Sequence, residues 1–220
     1  MIHQGKAKEA ALRMLMLTGL LLLAFVAATF LKGGWIILIG IWVVFAGFVL
    51  YFFRDPNPVT PVDPKAIVCP AHGKIDIIEI IDVDEFNLGK CQRISMFLSI
   101  FNVHVQNAPI SGKVAYMQYH PGEFLNAMDL ESGARNENLL MGFESSEKPG
   151  EKIGIRLIAG LIARRIVPWI QVGDSVKRGD RISLIRFGSR CDIYLPLDAK
   201  IQINIGDKVV GGETILAYRS

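Results

Sequence analysis

Cysteine is scarce in this chain: only Cys69, Cys91 and Cys191 occur among 220 residues. They are widely spaced, and they lack both a CxxC pair and the paired histidines that complete a zinc site. Small disulfide-rich domains use an even and dense set of cysteines, and structural zinc sites use closely spaced ligands. The sequence therefore argues against a disulfide scaffold, and we expect no bound metal.

An excess of one charge is also lacking. The chain has 24 Lys and Arg against 21 Asp and Glu, which leaves a formal net charge of +3. Its basic residues are spread evenly and are not interleaved with the aromatic residues that stack on bases. We therefore expect no nucleic-acid partner.

Apolar residues, in contrast, make up 51% of the chain, and two long runs of them occupy residues 12–31 and 35–53. Each run has about 20 residues, enough for a helix to cross a hydrocarbon core of about 30 Å. We predict a membrane anchor over residues 1–53, made of two transmembrane helices joined by Lys32-Gly33-Gly34. A signal peptide has a shorter apolar region, whereas a re-entrant or interfacial hairpin is an alternative that the short connection also permits.

Basic residues predict the orientation of this anchor. Two basic residues, Lys6 and Lys8, precede the first run, and Arg13 lies just inside its start. Arg54 and Lys65 follow the second run, whereas only Lys32 lies between the runs. Basic residues favour the cytoplasmic side. We therefore expect an inner-membrane protein whose soluble domain faces the cytoplasm.

A proline-rich linker follows over residues 54–66, with prolines at 56, 58, 61 and 64. Proline fixes φ and restricts the residue before it, so the linker is predicted to be stiff and non-helical. Residues 67–220 then show short β-like runs broken by Gly, Pro and Asn, which predicts a mainly β domain with few helices. One possible helix covers residues 155–167, although Gly154, Gly160 and the β-branched residues also allow a strand.

Internal repeats organise the β domain. Residues 172–182, VGDSVKRGDRI, recur at 205–215 as IGDKVVGGETI. Three proline-led strand starts, at Pro70, Pro109 and Pro196, also resemble one another. This pattern resembles the lipoyl and biotinyl carrier fold, a barrel-sandwich hybrid whose hairpin between the two GD turns presents a cofactor-bearing lysine.

In this chain the equivalent hairpin runs from 182 to 195, and its predicted tip is Gly188-Ser189 rather than a lysine. Gly188 leaves its own carbonyl accessible and permits a positive φ, and the Ser189 hydroxyl lies one residue downstream, where it can attack that carbonyl. Gly-Ser is also an ordinary turn sequence, so a plain hairpin is the alternative.

Several separated motifs resemble the short-form, archaeal-type phosphatidylserine decarboxylases over roughly residues 50–220. They are FFRDP at 52–56, FNVHVQNAP at 101–109, NA at 126–127, NEN at 136–138, IARRIV at 162–167 and IRFGSRCDIYLP at 185–196. The resemblance implies a proenzyme that cuts itself between Gly188 and Ser189 by serinolysis, giving chains 1–188 and 189–220. Ser189 would become a covalent pyruvoyl group, so no external cofactor is needed.

The activity that the resemblance implies is that of a carboxy-lyase. The pyruvoyl group would form a Schiff base with phosphatidylserine in the bilayer and accept electrons as carbon dioxide leaves, giving phosphatidylethanolamine. A homodimer is possible. Alternatives are a decarboxylase of archaetidylserine or another seryl phospholipid, a maturation-defective member, and a non-enzymatic lipoyl-like membrane adaptor.

His104 is the first candidate for the base that activates Ser189. Strand alternation places Asn102 on the same face as His104. The resemblance leads us to expect an aspartate in a Pro-Ala-Asp-Gly motif, but this chain has His72 there. Either His72 is itself the base or a neutral partner, or a carboxylate such as Asp76 or Asp84 substitutes; alternatively, cleavage is slow or lost.

Further residues are assigned to the substrate site or its structure because they match family motifs. They are Asn102, Asn126, Asn136, Glu137 and Phe187.

Overall fold

The computed structural model describes residues 3–29, 35–123, 125, 135–160, 165–186 and 188–220. Two sequence-predicted site residues, Asn126 and Phe187, lie outside these ranges, as does the predicted connection at 32–34. The chain divides into two compact units, residues 4–56 and residues 57–220 together with His3. Each unit is described here by itself.

The first unit contains two helices, α1 (Lys6–Thr29) and α2 (Trp35–Phe52). The helices contact each other through Trp42, whose indole N–H donates to Thr18 Oγ1 at 3.2 Å. Gly19 allows this approach, since a Cβ built there would lie 3.4 Å from the Trp42 ring. Both helices are long and apolar enough to cross a membrane, a test that a signal sequence also passes. The two N-terminal helices are confirmed, and their insertion in a bilayer stays a prediction.

The second unit is built almost entirely of strands. In chain order they are β1 (Ala66–Val68), β2 (Gly73–Val83), β3 (Gly89–Leu98), β4 (Val105–Asn107), β5 (Gly112–His120), β6 (Asn138–Ser145), β7 (Lys152–Ala159), β8 (Ile166–Pro168), β9 (Ser175–Val176), β10 (Arg181–Ile185), β11 (Ser189–Leu195), β12 (Lys200–Ile201), β13 (Lys208–Val209) and β14 (Ile215–Tyr218). A 3₁₀ turn, Glu85–Asn87, lies between β2 and β3. The predicted mainly β fold is confirmed.

Within the described residues, eight strands form a curled antiparallel sheet of order β13-β2-β3-β11-β7-β6-β5-β9. Two smaller sheets have the orders β4-β10-β8 and β1-β14-β12. Ile75, Met96, Leu157 and Ile193 belong to the apolar core and are fully buried. Burial of such side chains is the main favourable contribution to folding.

The internal repeats correspond to two equivalent corners of this sheet. Strand β13 pairs with the start of β2, and β9 pairs with the start of β5, in matching registers. Gly73 and Gly112 are the equivalent glycines: a Cβ on Gly73 would lie 2.5 Å from Phe97 O, and one on Gly112 would lie 2.1 Å from Glu144 O. The repeat therefore preserves a close backbone approach at each corner, which only glycine permits.

The helix considered over residues 155–167 is wrong. Residues 152–159 form β7, which pairs with β6 on one side and β11 on the other, and 166–168 form β8. A central strand is buried on both faces, so its apolar residues are consecutive instead of alternating. Consecutive apolar residues fit helical spacing by chance, which explains the error.

The predicted hairpin from 182 to 195 is also wrong. Strand β10 pairs with β4 and β8, whereas β11 pairs with β3 and β7, so the two strands belong to different sheets. Gly188-Ser189 is therefore a crossing point between sheets, and Ser189 is completely buried instead of lying at an exposed tip.

Residues 57–65 are bound to the β domain by hydrogen bonds. The Arg178 guanidinium donates to the Pro61 carbonyl at 3.2 Å, and Arg219 donates to the Pro64 carbonyl at 2.7 Å. The Val59 N–H donates to Glu213 Oε1 at 3.0 Å. The linker carbonyls that have no strand partner thus accept hydrogen bonds from arginine side chains.

Candidate active site

Gly188 and Ser189 occupy the point where the chain enters the middle of the large sheet. Gly188 has φ = +71°, a left-handed conformation that favours glycine. A Cβ built there would meet nothing closer than Ile100 Cγ2 at 3.9 Å, so the backbone angle rather than space requires the glycine. Ser189 begins β11 and pairs with Leu98 on one side and Ala159 on the other.

The Ser189 hydroxyl is buried and has no hydrogen-bond partner among the residues that the structure describes. A buried hydroxyl without a partner loses free energy of about 1–3 kcal/mol relative to a bonded one. The Ser95 hydroxyl in β3 is also without a partner within the described ranges, so the feature that distinguishes Ser189 is its position directly after the positive-φ Gly188.

His104 lies against Gly188 because β4, which it precedes, pairs with β10. Its Nε2 lies 3.2 Å from the backbone nitrogen of Gly188, and its Nδ1 lies 3.0 Å from the Asn102 carbonyl oxygen. A carbonyl only accepts, so Nδ1 carries the proton; Nε2 therefore accepts the Gly188 N–H through its lone pair. The neutral, fully buried imidazole thus directs a basic nitrogen at the Gly-Ser segment.

Two neighbours of His104 fix its backbone. The Asn102 side-chain oxygen accepts from the Ser99 N–H at 2.9 Å and from the Ser99 hydroxyl at 2.8 Å, which orients the Asn102 backbone. Gln106 donates to the His104 carbonyl at 2.7 Å and accepts from the Ser183 hydroxyl at 2.8 Å. The predicted strand alternation from Asn102 to His104 is wrong, because β4 begins at Val105 and Asn102 lies in a turn, where its N–H donates to the Ser99 carbonyl at 2.9 Å. Sequence reasoning identified Asn102 but missed Gln106.

The carbonyl of Gly188, which serinolysis would attack, also has a bound donor. The Gly160 N–H donates to Gly188 O at 3.2 Å. Ala159, the residue before Gly160, is also held at both ends. Its carbonyl accepts from the Asn136 side-chain amide at 2.8 Å, and its N–H donates to the Glu137 carbonyl at 2.9 Å. Asn136 and Glu137, both nearly fully buried, therefore lie next to the Gly-Ser segment, and sequence reasoning missed Gly160.

His72 lies at the end of β2 that flanks the same end of β3 as Ser189: Lys74 pairs with Phe97, and Ser189 pairs with Leu98. Its ring is half-buried beside Gly211, where a built Cβ would be 3.1 Å from His72 Cδ2. His72 is thus at the correct end of the sheet, and its role stays a prediction.

The two carboxylates considered as substitutes have different positions. Asp84 follows the far end of β2, on the order of 30 Å along the strand from Gly73. Asp76 lies near the site, but its two oxygens bind the Arg190 guanidinium at 3.0 Å and 2.7 Å. Arg190 directly follows Ser189 and is nearly fully buried, so this bidentate pair fixes the chain immediately after Ser189.

Three buried groups of the β domain, Asp192, Cys69 and Cys191, have raised pKa values. Burial raises the pKa of Asp192, and the nearby arginines act in the opposite direction. Burial also raises the pKa of the Cys69 thiol to about 12 and that of Cys191 well above its usual value. Both cysteines stay protonated at neutral pH, when a thiol is a weak nucleophile.

Comparison with known proteins identifies the family of the chain. The family model described as phosphatidylserine decarboxylase matches residues 45–217. A phosphatidylserine decarboxylase proenzyme of Desulfotalea psychrophila is 47% identical over 180 residues, covering 82% of this chain and 83% of that protein. A protein of the same name from Geotalea daltonii is 41% identical over 194 residues, covering 88% of this chain and 89% of the relative. The chain therefore belongs to the phosphatidylserine decarboxylase family, a family of enzymes.

Proposed function

We propose that this chain is the proenzyme of a membrane-anchored phosphatidylserine decarboxylase that matures by cutting itself between Gly188 and Ser189. One observation carries the proposal: a buried, unpartnered serine hydroxyl follows a glycine whose N–H is bound by a basic histidine nitrogen. The names of the two relatives support the proenzyme and the substrate.

The proposed cut begins at the Ser189 hydroxyl. His104 Nε2 gives up its hydrogen bond from the Gly188 N–H and takes the proton of the Ser189 hydroxyl. Ser189 Oγ then attacks the Gly188 carbonyl carbon. The carbon–nitrogen bond breaks, the nitrogen of residue 189 takes the proton, and an ester joins Gly188 to Ser189 Oγ. Loss of the Ser189 α-proton then expels the Gly188 carboxylate. Water next displaces the nitrogen of residue 189, which leaves as ammonia, and a pyruvoyl ketone remains at position 189.

The residues present fit a pyruvoyl group at position 189. It would begin β11, held between β3 and β7, with the buried apolar residues Leu98 and Ala159 opposite it. When bound in this way, a pyruvoyl group accepts the electron pair released as a carboxylate departs as carbon dioxide. In the uncut chain His104 Nε2 lies 3.2 Å from Gly188 N, so the imidazole is near enough to the start of β11 to supply or remove a proton there, and the surrounding apolar residues exclude water.

The two N-terminal helices suit a substrate that stays in the bilayer. Phosphatidylserine carries two acyl chains, so an enzyme acting on it works at the membrane surface. Helices α1 and α2 have the length and apolar composition to anchor the β domain there, and the basic residues flanking them favour a cytoplasmic location.

A direct assay tests the activity. The full-length protein, purified in detergent, is incubated with mixed micelles of phosphatidylserine that carries labelled carbon in the serine carboxyl, and released labelled carbon dioxide is measured. We expect release by the wild-type protein and background release by Ser189→Ala. Equal release by both proteins would contradict the proposal, and background release by a wild-type protein that is fully cut would contradict the substrate assignment.

His72 provides a second candidate, a family member in which maturation is impaired. The observation that favours it is the histidine in the motif where the resemblance leads us to expect an aspartate. A wild-type protein that stays uncut while His72→Asp is cut would establish this alternative.

A further inference from the structure

We propose that the backbone N–H of Gly160 is the oxyanion donor of the self-cleavage reaction, and that Asn136 is the residue that positions it. This inference rests on the proposed serinolysis at Gly188–Ser189 and adds to it the group that stabilises charge on the attacked carbonyl.

The donor is already in contact with the atom that gains charge. The Gly160 N–H donates to Gly188 O at 3.2 Å, immediately beyond the pairing of Ala159 with Ser189. When Ser189 Oγ adds to the Gly188 carbonyl carbon, the carbonyl π-electron pair moves to this oxygen. A bond that is long in the ground state shortens as the oxygen becomes negative, and this gives selective stabilisation of the transition state.

Asn136 controls the orientation of this donor because it binds the other end of the same peptide unit. Its Nδ2 donates to the Ala159 carbonyl at 2.8 Å, and that carbonyl and the Gly160 N–H share one planar amide. A hydrogen bond to the carbonyl withdraws electrons from the amide and makes its N–H a stronger donor. The chain of bonds therefore runs from Asn136 through the Ala159–Gly160 peptide to the Gly188 oxygen.

The Asn136 amide has one arrangement available. Its Nδ2 also donates to the Leu125 carbonyl at 2.9 Å, while its Oδ1 accepts from the Leu125 N–H at 2.8 Å. Both amide protons and the amide oxygen are thereby used, and the residue is almost completely buried. Such a side chain holds the Ala159–Gly160 peptide in a fixed plane, as an oxyanion donor needs.

Replacing the backbone N–H of Gly160 by an ester oxygen tests its role as the oxyanion donor. The full chain is made by cell-free translation into lipid nanodiscs, with glycolic acid in place of Gly160, so that an ester replaces the amide and only the N–H is lost. We expect cleavage after Gly188 to slow by about 10²–10³-fold, the usual effect of removing one oxyanion donor. Glycolic acid at Gly154 is the matched control, because it removes an N–H from the same strand opposite Tyr194, away from the cut, and should leave the rate within about 3-fold.

A side-chain substitution tests the positioning residue. Asn136→Ala should slow cleavage by about 10-fold or more, because the donor loses both its orientation and its polarising partner. Gln92→Ala is the control: Gln92 also donates its amide to backbone carbonyls, those of Pro196 and Ala199, but at the opposite end of β11. Its cleavage rate should stay near the wild-type value.

Hydroxylamine separates a defect in ester formation, the step that the oxyanion donor assists, from a defect in the later elimination. It cleaves the ester that follows the first step, so it restores cutting in a variant whose defect lies in the later elimination. Hydroxylamine would also cleave the ester installed at residue 160, so it is applied to Asn136→Ala only. We expect no restoration in that variant, since it forms the Gly188–Ser189 ester slowly. Restoration to the wild-type rate, or an unchanged rate without hydroxylamine in the 160-ester protein, would overturn the inference.

Failure of the proposed function has a different result. If the wild-type chain is never cut, with or without hydroxylamine, serinolysis itself is wrong. If Asn136→Ala fails to fold, as judged by near-ultraviolet circular dichroism, the 160-ester protein and its control at 154 decide the question.

Discussion

Nε2 of His104 accepts the backbone N–H of Gly188 at 3.2 Å. This bond joins the proposed base to the residue whose carbonyl is attacked, across 84 positions of sequence. It forms because β4 and β10 are neighbours in one small sheet, while the following residue, Ser189, enters the large sheet. The proposed site is therefore assembled where two sheets meet.

The first prediction concerns the base. His104→Ala should slow self-cleavage by about 10²–10⁴-fold, the range that general bases contribute, because the Ser189 hydroxyl loses its proton acceptor. The rate of fragment formation after cell-free synthesis measures this effect. His120→Ala is the control, as His120 ends β5 and pairs with Asn138, three strands from Ser189.

His72→Ala distinguishes the roles of the two histidines. If His104→Ala is cut at the wild-type rate while His72→Ala is not, the assignment of the base to His104 is wrong. If both variants are slow, His72 supports His104 and acts as a partner of the base.

The second prediction concerns the pair formed by Asp76 and Arg190. Asp76→Asn should lower the free energy of unfolding by about 1–3 kcal/mol, because the buried Arg190 guanidinium loses its charged partner; partial exposure of Asp76 reduces the effect below that of a fully buried pair. Thermal unfolding in detergent measures it, with Ser189→Ala as the common background so that all chains are uncut.

The matched control is Asp198→Asn. Asp198 pairs with Lys148 at 3.0 Å, but this pair is exposed, so the change should be within about 1 kcal/mol. Equal destabilisation by the two substitutions would show that burial of Arg190 has no special importance.

The third prediction concerns the repeated corners. Gly73→Ala and Gly112→Ala should each destabilise the β domain by more than about 3 kcal/mol, because a new Cβ would approach a backbone oxygen to 2.5 Å or 2.1 Å. Gly206→Ala is the comparison, since it has open space and only a positive φ of +100°, which costs about 1–2 kcal/mol. A smaller effect at Gly112 than at Gly206 would contradict the steric requirement for glycine, and clearly unequal effects at Gly73 and Gly112 would contradict the equivalence of the corners.

The fourth prediction concerns cysteine reactivity. Burial raises the pKa of Cys69 to about 12, against about 8.5 for a free thiol, and all three cysteines are buried and free. Native protein at pH 8 should therefore react with iodoacetamide at least about 10²-fold more slowly than protein in denaturant.

The same shift gives a sign for the pH dependence. As pH rises above about 8.5, the unfolded chain loses the Cys69 proton while the folded chain keeps it, so stability falls between about 8.5 and the raised pKa. Cys69→Ala should reduce this slope. Rapid labelling of the native protein would contradict the buried placement of the thiols.

The sequence alone predicted the class of the fold and the chemical groups of the site, but not the way in which the chain brings them together. Period-two alternation and the repeated GD turns correctly indicated a β domain, because each repeat corresponds to a corner of the sheet. These are local patterns, and local patterns are visible in a sequence.

Two features depend on long-range pairing and were therefore hidden. The segment 182–195 has the pattern of a hairpin, yet β10 and β11 pair with different strands, and nothing local distinguishes these outcomes. Gly160 carries no side chain, and only the register of β7 on β11 places its N–H on the Gly188 carbonyl. Strand β7 was open to interpretation as helix because both of its faces are buried.

The most direct test of the account is the intact mass of the purified full-length chain, measured under denaturing conditions. The account predicts two chains, residues 1–188 and 189–220, with the shorter one blocked at its N-terminus, and a single uncut chain for Ser189→Ala. A wild-type protein that remains one chain of 24.4 kDa after prolonged incubation would contradict the central claim.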